Sequence, residues 1–323
     1  MKAISQDRYG GPEVLELTDV PEPVMRDDQV LVEVAAVSIN PYDWHFMRGE
    51  PYFMRAQAGL RRPKVSIRGV DFAGTVLESG PDVEGLAPGD EVFGEVDNAL
   101  AERLVATTDS VVRKPNSISF EEAAAMPLAG ETALQGLRDH GRLQAGQRVL
   151  INGASGGIGT FAVQIAKAMG AAEVTGVCSG KNTDLVLSLG ADRVVDYTKE
   201  NFTEIGEKYD LILDLVSTQP WEEVRRILTD EGRVIVGGWL SMGDWLGPLG
   251  SMLGLRRSDR RGTQKFKNYL AKRSVGDIAT IADWMVEGKV KSAIGRTYPM
   301  ADTAEAMRYL ETMHVQGKVI ITI

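Results

Sequence analysis

The chain has 323 residues, 43% hydrophobic and 25% charged, with a net charge of −9 and a sequence pI of about 5.1. That length allows two domains, each with its own core, and the acidic balance argues against nucleic acid or anionic lipid as the main partner. A single cysteine, Cys178, excludes an internal disulfide and a multi-cysteine zinc site.

No apolar run approaches the roughly 18 residues of a transmembrane helix, so stable membrane insertion is not expected. The N-terminal MKAISQDRYG lacks the long apolar stretch of a signal peptide. A cytoplasmic location is the expectation. No internal repeat or low-complexity tract interrupts the chain.

In chain order, the first 115 residues read as mostly β. VLVEVAAVS (30–38) and FAGTVLES (72–79) are rich in strand formers, and GGPEVLELTDVPEP and GPDVEGLAPGDEV supply turns. Between those strands lies SINPYDWHFMRG (38–49), with an amide, an acid, a phenol and one of three histidines. Three readings are open for it: a metal-binding turn, a metal-free active site, or a polar loop. Near 117 the texture changes. Ser119 with Glu122 three residues later forms a capping-box signature.

From there strands and helices alternate. RVLING (148–153) leads into IGTFAVQIAKAMG (158–170), apolar on one helical face and closed by Gly170. EVTGVCS, RVVDYT, YDLILDLV and RVIVGGW follow as strands of the kind buried on both faces of a parallel sheet. The alternation predicts an α/β fold with a doubly wound sheet in the middle of the chain. The last 60 residues mix a helix (IADWMVEG) with a strand (KVIITI).

INGASGGIG (151–159) sits where a strand turns into a helix. Small residues there let the backbone approach a pyrophosphate, and the helix N-terminus offers free N–H groups. The pattern is A-x-G-G-x-G, with Ala154 in place of the first glycine. The bland alternative is a tight turn without a ligand. The second strand of the unit ends in VCSGKN. An NAD site usually carries an acid about 20 residues past the motif. Here Ser179 and Lys181 stand in that region, and a hydroxyl with a cation suits the 2′-phosphate of NADP(H). The competing reading is a solvated surface lysine.

NPYDWHFMRG, GVDFAGTVLESGPDVEGLAPGDEVFG, PLAGETALQGL and NGASGGIG together resemble the zinc-free quinone oxidoreductase branch of the medium-chain dehydrogenase/reductase superfamily, over essentially the whole chain. The resemblance implies a GroES-like β-barrel catalytic domain over 1–120, with 262–323 returning to it, and a Rossmann NADP(H)-binding domain over 121–261. It matches Thr132 to a contact on the nicotinamide side of the cofactor. Ala154, Ser155, Gly156, Gly157, Ile158 and Gly159 match the pyrophosphate loop. Ser179, Lys181 and Tyr197 match the 2′-phosphate pocket. Val216 and Gly237 match positions lining the cofactor, and Lys318 a C-terminal motif that reaches back to the site. Asn40 matches a residue beside the nicotinamide ribose and substrate. Zinc-dependent relatives place ligands where this chain has Asn40 and Val70, which are poor zinc donors, so no metal is expected.

The implied activity is zinc-independent, NADPH-dependent reduction of a quinone or α,β-unsaturated carbonyl, the substrate being small and apolar. A metal-free carbonyl reductase or alcohol dehydrogenase for small ketones or aldehydes is the second reading. A non-catalytic NADPH-binding protein is the third. By match to the zinc-dependent proton relay, Tyr42 is the candidate donor, His45 its relay, and Asn40 a holder of ribose or substrate. Tyr52 is a rival donor, and protonation by water a rival route. Relatives are often dimers, so a homodimer is expected. WLSMGDWLGPLGSMLGLRRSDRR (239–261) reads as a substrate lid, a membrane-contacting loop, a subunit interface or a core segment.

Overall fold

The computed structural model describes residues 1–237 and 263–323; the lid or interface reading of 239–261 lies outside them. The chain divides into two compact units. The first is Met1–Leu128 with Arg273–Val286 and Ser292–Ile323; the second is Ala129–Lys272 with Glu287–Lys291.

The strands in chain order are β1 (Lys2–Ser5), β2 (Glu16–Asp19), β3 (Gln29–Ile39), β4 (Asp71–Ser79), β5 (Glu91–Glu95), β6 (Arg103–Thr107) and β7 (Val111–Arg113), then β8 (Arg148–Asn152), β9 (Glu173–Cys178), β10 (Arg193–Asp196), β11 (Tyr209–Asp214), β12 (Leu228–Gly237) and β13 (Lys265–Tyr269), and last β14 (Ile294–Pro299) and β15 (Lys318–Thr322). In the first unit the sheet runs β14-β15-β3-β4-β5-β7, with β6 also on β3. Its pairings are antiparallel except β14 with β15. Strand β3 is the backbone of this unit. It alternates buried Val30, Val32 and Val34 with more exposed neighbours, then buries Ser38, Ile39 and Asn40 in succession. Its end therefore delivers the NPYDWH segment out of a core built on Val37, Ile39, Phe72 and Val319.

In the second unit the sheet order is β10-β9-β8-β11-β12-β13, every pair parallel. The order reverses direction between β8 and β11, the place where open α/β sheets bind ligands at their strand C-termini. Strand β13 pairs with β12 in this sheet. The units divide after Leu128 and after Lys272, and residues 265–269 complete the parallel sheet of the second.

Local signals explain several elements. Ser119 accepts the N–H of Glu122 at 3.1 Å and Glu122 returns a bond to the Ser119 N–H at 2.9 Å. The helix Gly157–Ala168 follows β8 and buries Phe161, Ala162, Val163, Ile165 and Ala166. Gly170 takes φ +85° just beyond it, the left-handed conformation of a helix end.

Candidate active site and cofactor loop

In the first unit the SINPYDWHFMRG segment is neither a turn nor a loop. Pro41–Arg48 is a two-turn helix with Pro41 at its first position and Gly49 (φ +62°) closing it. Asp43 holds the entry: its Oδ2 accepts the Asn40 N–H at 2.7 Å, and its Oδ1 accepts the Gly69 N–H at 3.2 Å. One carboxyl thus joins the start of this helix to the segment that leads into β4. Burial pushes the Asp43 carboxyl up to about 7, with the nearby Asp71 charge adding to the shift and the bond from Asn40 opposing it.

Asn40 is buried, and its amide is fully engaged. Nδ2 donates to the Ser38 carbonyl (3.2 Å) and to Asp71 Oδ2 (2.9 Å), and Oδ1 accepts from Lys318 Nζ at 2.6 Å. Lys318 Nζ also lies 3.4 Å from Asp71 Oδ2, and Asp71 Oδ1 accepts the Leu128 N–H at 3.1 Å. Burial depresses the Lys318 ammonium and raises the Asp71 carboxyl, each resisted by the other's charge. In this hub both Asn40 amide hydrogens are engaged, and Lys318 reaches Asn40 and Asp71 inside the first unit.

The two ring residues of the helix also part company. His45 is buried with its ring stacked on Trp44 at 3.8 Å between centroids, and its Nδ1 lies 2.8 Å from the Glu50 carbonyl. A carbonyl only accepts, so the proton sits on Nδ1. Burial lowers the imidazole below its ordinary range, so His45 is neutral. Tyr42 is 40% exposed and packs on Phe46 at 4.5 Å. No direct hydrogen bond links Tyr42 to His45. Burial and the Asp97 charge raise the Tyr42 phenol, which stays protonated at neutral pH. Tyr52 lies on one face of the Arg55 guanidinium (4.6 Å) and Tyr9 near it at 4.4 Å, while Arg55 donates to the Gly49 and Arg48 carbonyls. Its ring is thereby tied to the loop below the helix.

Arg68 is 6% exposed, and its Nε and Nη2 have no acceptor among the described residues. The groups whose charge acts on it are Asp43, Tyr42, Tyr9 and Asp97. Sequence reading passed over Arg68, Asp43 and the Asp71 partnership. The acid three residues after Asn40, with Pro41 between, was the available helix-start signal. The position that resemblance matches to a zinc histidine holds Val70, which is buried.

In the second unit the end of β8 enters a turn in which Gly153 takes φ +88°. A Cβ on Gly159 would lie 2.1 Å from the Gly153 carbonyl oxygen. Glycine is therefore required at both ends of this turn, one for conformation and one for close packing. Gly153 performs the tight-turn role expected one residue later, and Ala154 is buried with its N–H on the Val177 carbonyl at 3.0 Å. Ser155 and Ser179 are drawn together by Asn182, whose Nδ2 donates to their hydroxyls at 2.9 and 3.3 Å. Gly156 is the N-cap of the helix that begins with Gly157 and Ile158. The turn, the free helix N-terminus and the small residues suit a pyrophosphate.

Lys181 and Tyr197 are exposed beyond β9 and β10, near Ser179 in the same unit. One expectation changes here. A carboxylate does stand in this corner: Asp196 Oδ1 accepts the Gly180 N–H at 2.9 Å, and its Oδ2 pairs with Lys199 at 3.3 Å. It lies on the next strand, outside the window in which an acid was sought. Cys178 ends β9 in the core, its thiol pushed up to about 11 by burial and by the Asp196 charge.

The remaining matched positions are ordered by buried groups of the same unit. Asp214 accepts the N–H groups of Val216 (3.1 Å) and Ser217 (2.8 Å) and the Asn152 amide (2.8 Å), which fixes the loop after β11. Val216 lies against Gly153, where a Cβ would meet it at 2.9 Å. Gly237 ends β12 against Tyr269, whose hydroxyl donates to the Thr132 carbonyl at 2.5 Å. Among the described residues no group of three or more His, Cys, Asp or Glu could hold a metal ion, and no helix is long and apolar enough to cross a membrane.

Residues 26–116 match the family of the alcohol dehydrogenase GroES-like domain, and 189–321 the family described as zinc-binding dehydrogenase. The chain is 33% identical to the 2-methylene-furan-3-one reductase of Solanum lycopersicum over 99% of its own length and 79% of that protein. It is 32% identical, with the same coverage, to the chloroplastic NADPH-dependent alkenal/one oxidoreductase of Arabidopsis thaliana. The solved quinone oxidoreductase of Coxiella burnetii superposes with a TM-score of 0.88 at 29% identity, covering 100% of this chain and 99% of that one. The first unit is thus GroES-like and the second a Rossmann fold.

Proposed function

This chain belongs to the quinone oxidoreductase branch of the medium-chain dehydrogenase/reductase superfamily, and from that premise we propose that it reduces quinones or α,β-unsaturated carbonyls with NADPH. The observation that carries the reading is the β8 turn, where Gly153 at φ +88° and Gly159 packed on the Gly153 carbonyl lead the strand straight into the N-terminus of the Gly157–Ala168 helix, whose free N–H groups suit a pyrophosphate. It joins a likeness to an alkenal/one oxidoreductase over 99% of this chain.

Bound NADPH supplies the hydride; the chain supplies binding, orientation and a proton. Ser155 to Gly159 hold the pyrophosphate through backbone N–H groups. Ser179, Lys181 and Tyr197 hold the 2′-phosphate, with Lys181 as the charged partner. Thr132, Val216 and Gly237 line the cofactor in the second unit. Tyr42 is the proton donor, because it is a protonated, part-exposed phenol on a capped helix. Asn40, Asp71 and Lys318 hold the start of that helix, with Asn40 placed beside the ribose or substrate and Lys318 reaching back to the site. The substrate is a small apolar carbonyl or quinone. A homodimer is the assembly we assign by resemblance.

The test is NADPH oxidation over quinones, enones and saturated aldehydes, with and without chelator. Turnover of enones or quinones that survives chelation is expected. Turnover confined to saturated aldehydes points instead to a carbonyl reductase, and cofactor binding with no turnover to a non-catalytic role.

A further inference from the structure

The cations around the Pro41–Arg48 helix are not alike. Arg273 sits on Glu95 (3.2 Å) and Asp97 (2.9 Å), and Lys318 on Asp71 and Asn40. Arg68 is as deeply buried as many core residues, yet its Nε and Nη2 touch no acceptor among the described residues. The carboxylate whose charge acts most on it, Asp43, has its two oxygens directed to the N–H groups of Asn40 and Gly69. A buried guanidinium without a contact partner is costly to maintain, and its backbone leaves it little freedom to withdraw. The Arg68 carbonyl accepts the Leu100 N–H at 2.8 Å, Gly69 is tied to Asp43, and Gly69 itself is wedged at φ +88° against Leu100.

Tyr42 is the one of these neighbours that is both on the helix and substantially exposed. We propose that Arg68 is the electrostatic positioning residue of the substrate site: its unpaired charge favours a negatively charged oxygen beside Tyr42, and so selects substrates that form an enolate or hydroquinone anion. The inference rests on the reductase reading and deepens it. When hydride from the nicotinamide adds to the β-carbon of an enone, a C–H bond forms and the C=C π pair shifts. The carbonyl π pair moves onto oxygen, giving an enolate that then takes a proton at the α-carbon. For a quinone the corresponding charge appears on the phenolic oxygen and is protonated there. In both, a fixed cation in a site shielded from water lowers the barrier without reorganising. Saturated aldehydes would form an alkoxide, which a neutral donor such as Tyr42 can protonate as it forms, so they should depend on Arg68 less.

The probe is 4-nitrophenol, whose phenol and phenolate forms differ in absorbance. Wild-type protein, with and without NADP⁺, is expected to bind the phenolate in preference to the phenol. Arg68→Lys should keep that preference and Arg68→Met should lose it. In steady state Arg68→Met should lower kcat for enones by roughly 10–100-fold, less than the loss of a direct oxyanion donor, while leaving the NADPH Kd unchanged; Arg68→Lys should restore most of the rate. A preference of wild type for the neutral phenol overturns the inference, and needs no variant to fold. So does an Arg68→Met enzyme with wild-type kcat, or Lys and Met variants that lose activity equally. If wild type reduces neither enones nor quinones, the reductase reading falls, and the phenolate arm still decides whether Arg68 builds an anion site.

Discussion

Lys318 Nζ meets Asn40 Oδ1 at 2.6 Å, joining residues 278 positions apart. The contact places the last strand under the start of the Pro41–Arg48 helix, with Asp71 completing the group. Removing the cation leaves a buried carboxyl uncompensated, so Lys318→Ala should cost about 3–5 kcal/mol of stability. Urea denaturation measures it. The double variant Lys318→Met with Asp71→Asn should recover much of the loss, since both charges are then gone. A single variant as stable as wild type would show that the hub carries no weight.

Lys181→Ala should weaken NADPH far more than NADH. Loss of a charge-assisted phosphate bond amounts to roughly 1.5–3 kcal/mol, or about 10–100-fold in Kd. Asp196 provides a second handle. Its carboxylate stands against Gly180, and Asp196→Asn should move the NADPH-to-NADH preference further toward NADPH by easing repulsion of the phosphate. Titration of both cofactors onto both variants measures the effect. Equal weakening by Lys181→Ala removes it from the phosphate site.

Tyr42→Phe should lower kcat by about 10²–10⁴-fold on the best enone, the usual contribution of a general acid. Tyr52→Phe and His45→Gln should leave kcat near wild type, because Tyr52 lies on Arg55 and His45 is turned to the Glu50 carbonyl. A phenol donates only while protonated. The raised Tyr42 group keeps its proton through neutral pH and loses it above the ordinary tyrosine range, so activity should fade only on the alkaline side. Wild-type kcat in Tyr42→Phe would leave protonation to water.

The buried carboxyl of Asp43 is raised from 3.8 to about 7. For an acid so raised, the folded state holds the proton more tightly than the unfolded chain. The stabilisation is complete below the unfolded pKa and is lost as pH climbs through the folded one. Wild type should therefore lose on the order of 2–4 kcal/mol relative to Asp43→Asn between about pH 4 and 8. Urea unfolding of both proteins across that range tests the sign. A gap independent of pH would place the Asp43 pKa near its ordinary value.

Local features were legible in the sequence. The Ser119–Glu122 box, the glycine turn after β8 and the alternation of β8 to β12 each depend on neighbours a few residues apart, and each is legible in the sequence alone. Long-range partnerships were not. Nothing near Asn40 announces Lys318, and Asp196 reaches Gly180 from the adjacent strand. Strand β13 was missed as part of the parallel sheet because its membership is decided by pairing with β12. The helix at 41–48 was misread for another reason. Its polar and aromatic residues looked like a site, and the helix-start pairing of Asn40 with Asp43 was passed over.

Enones and quinones are soft electrophiles, and they alkylate thiolates in whatever protein handles them. This chain carries one sulfhydryl, and it ends β9 inside the core with its ionisation pushed up to about 11. Both conditions for attack, access and thiolate, are thereby withheld. An enzyme of the proposed kind would keep its most reactive nucleophile from conjugate addition by its own reactants. That thiol would become available to them only on unfolding.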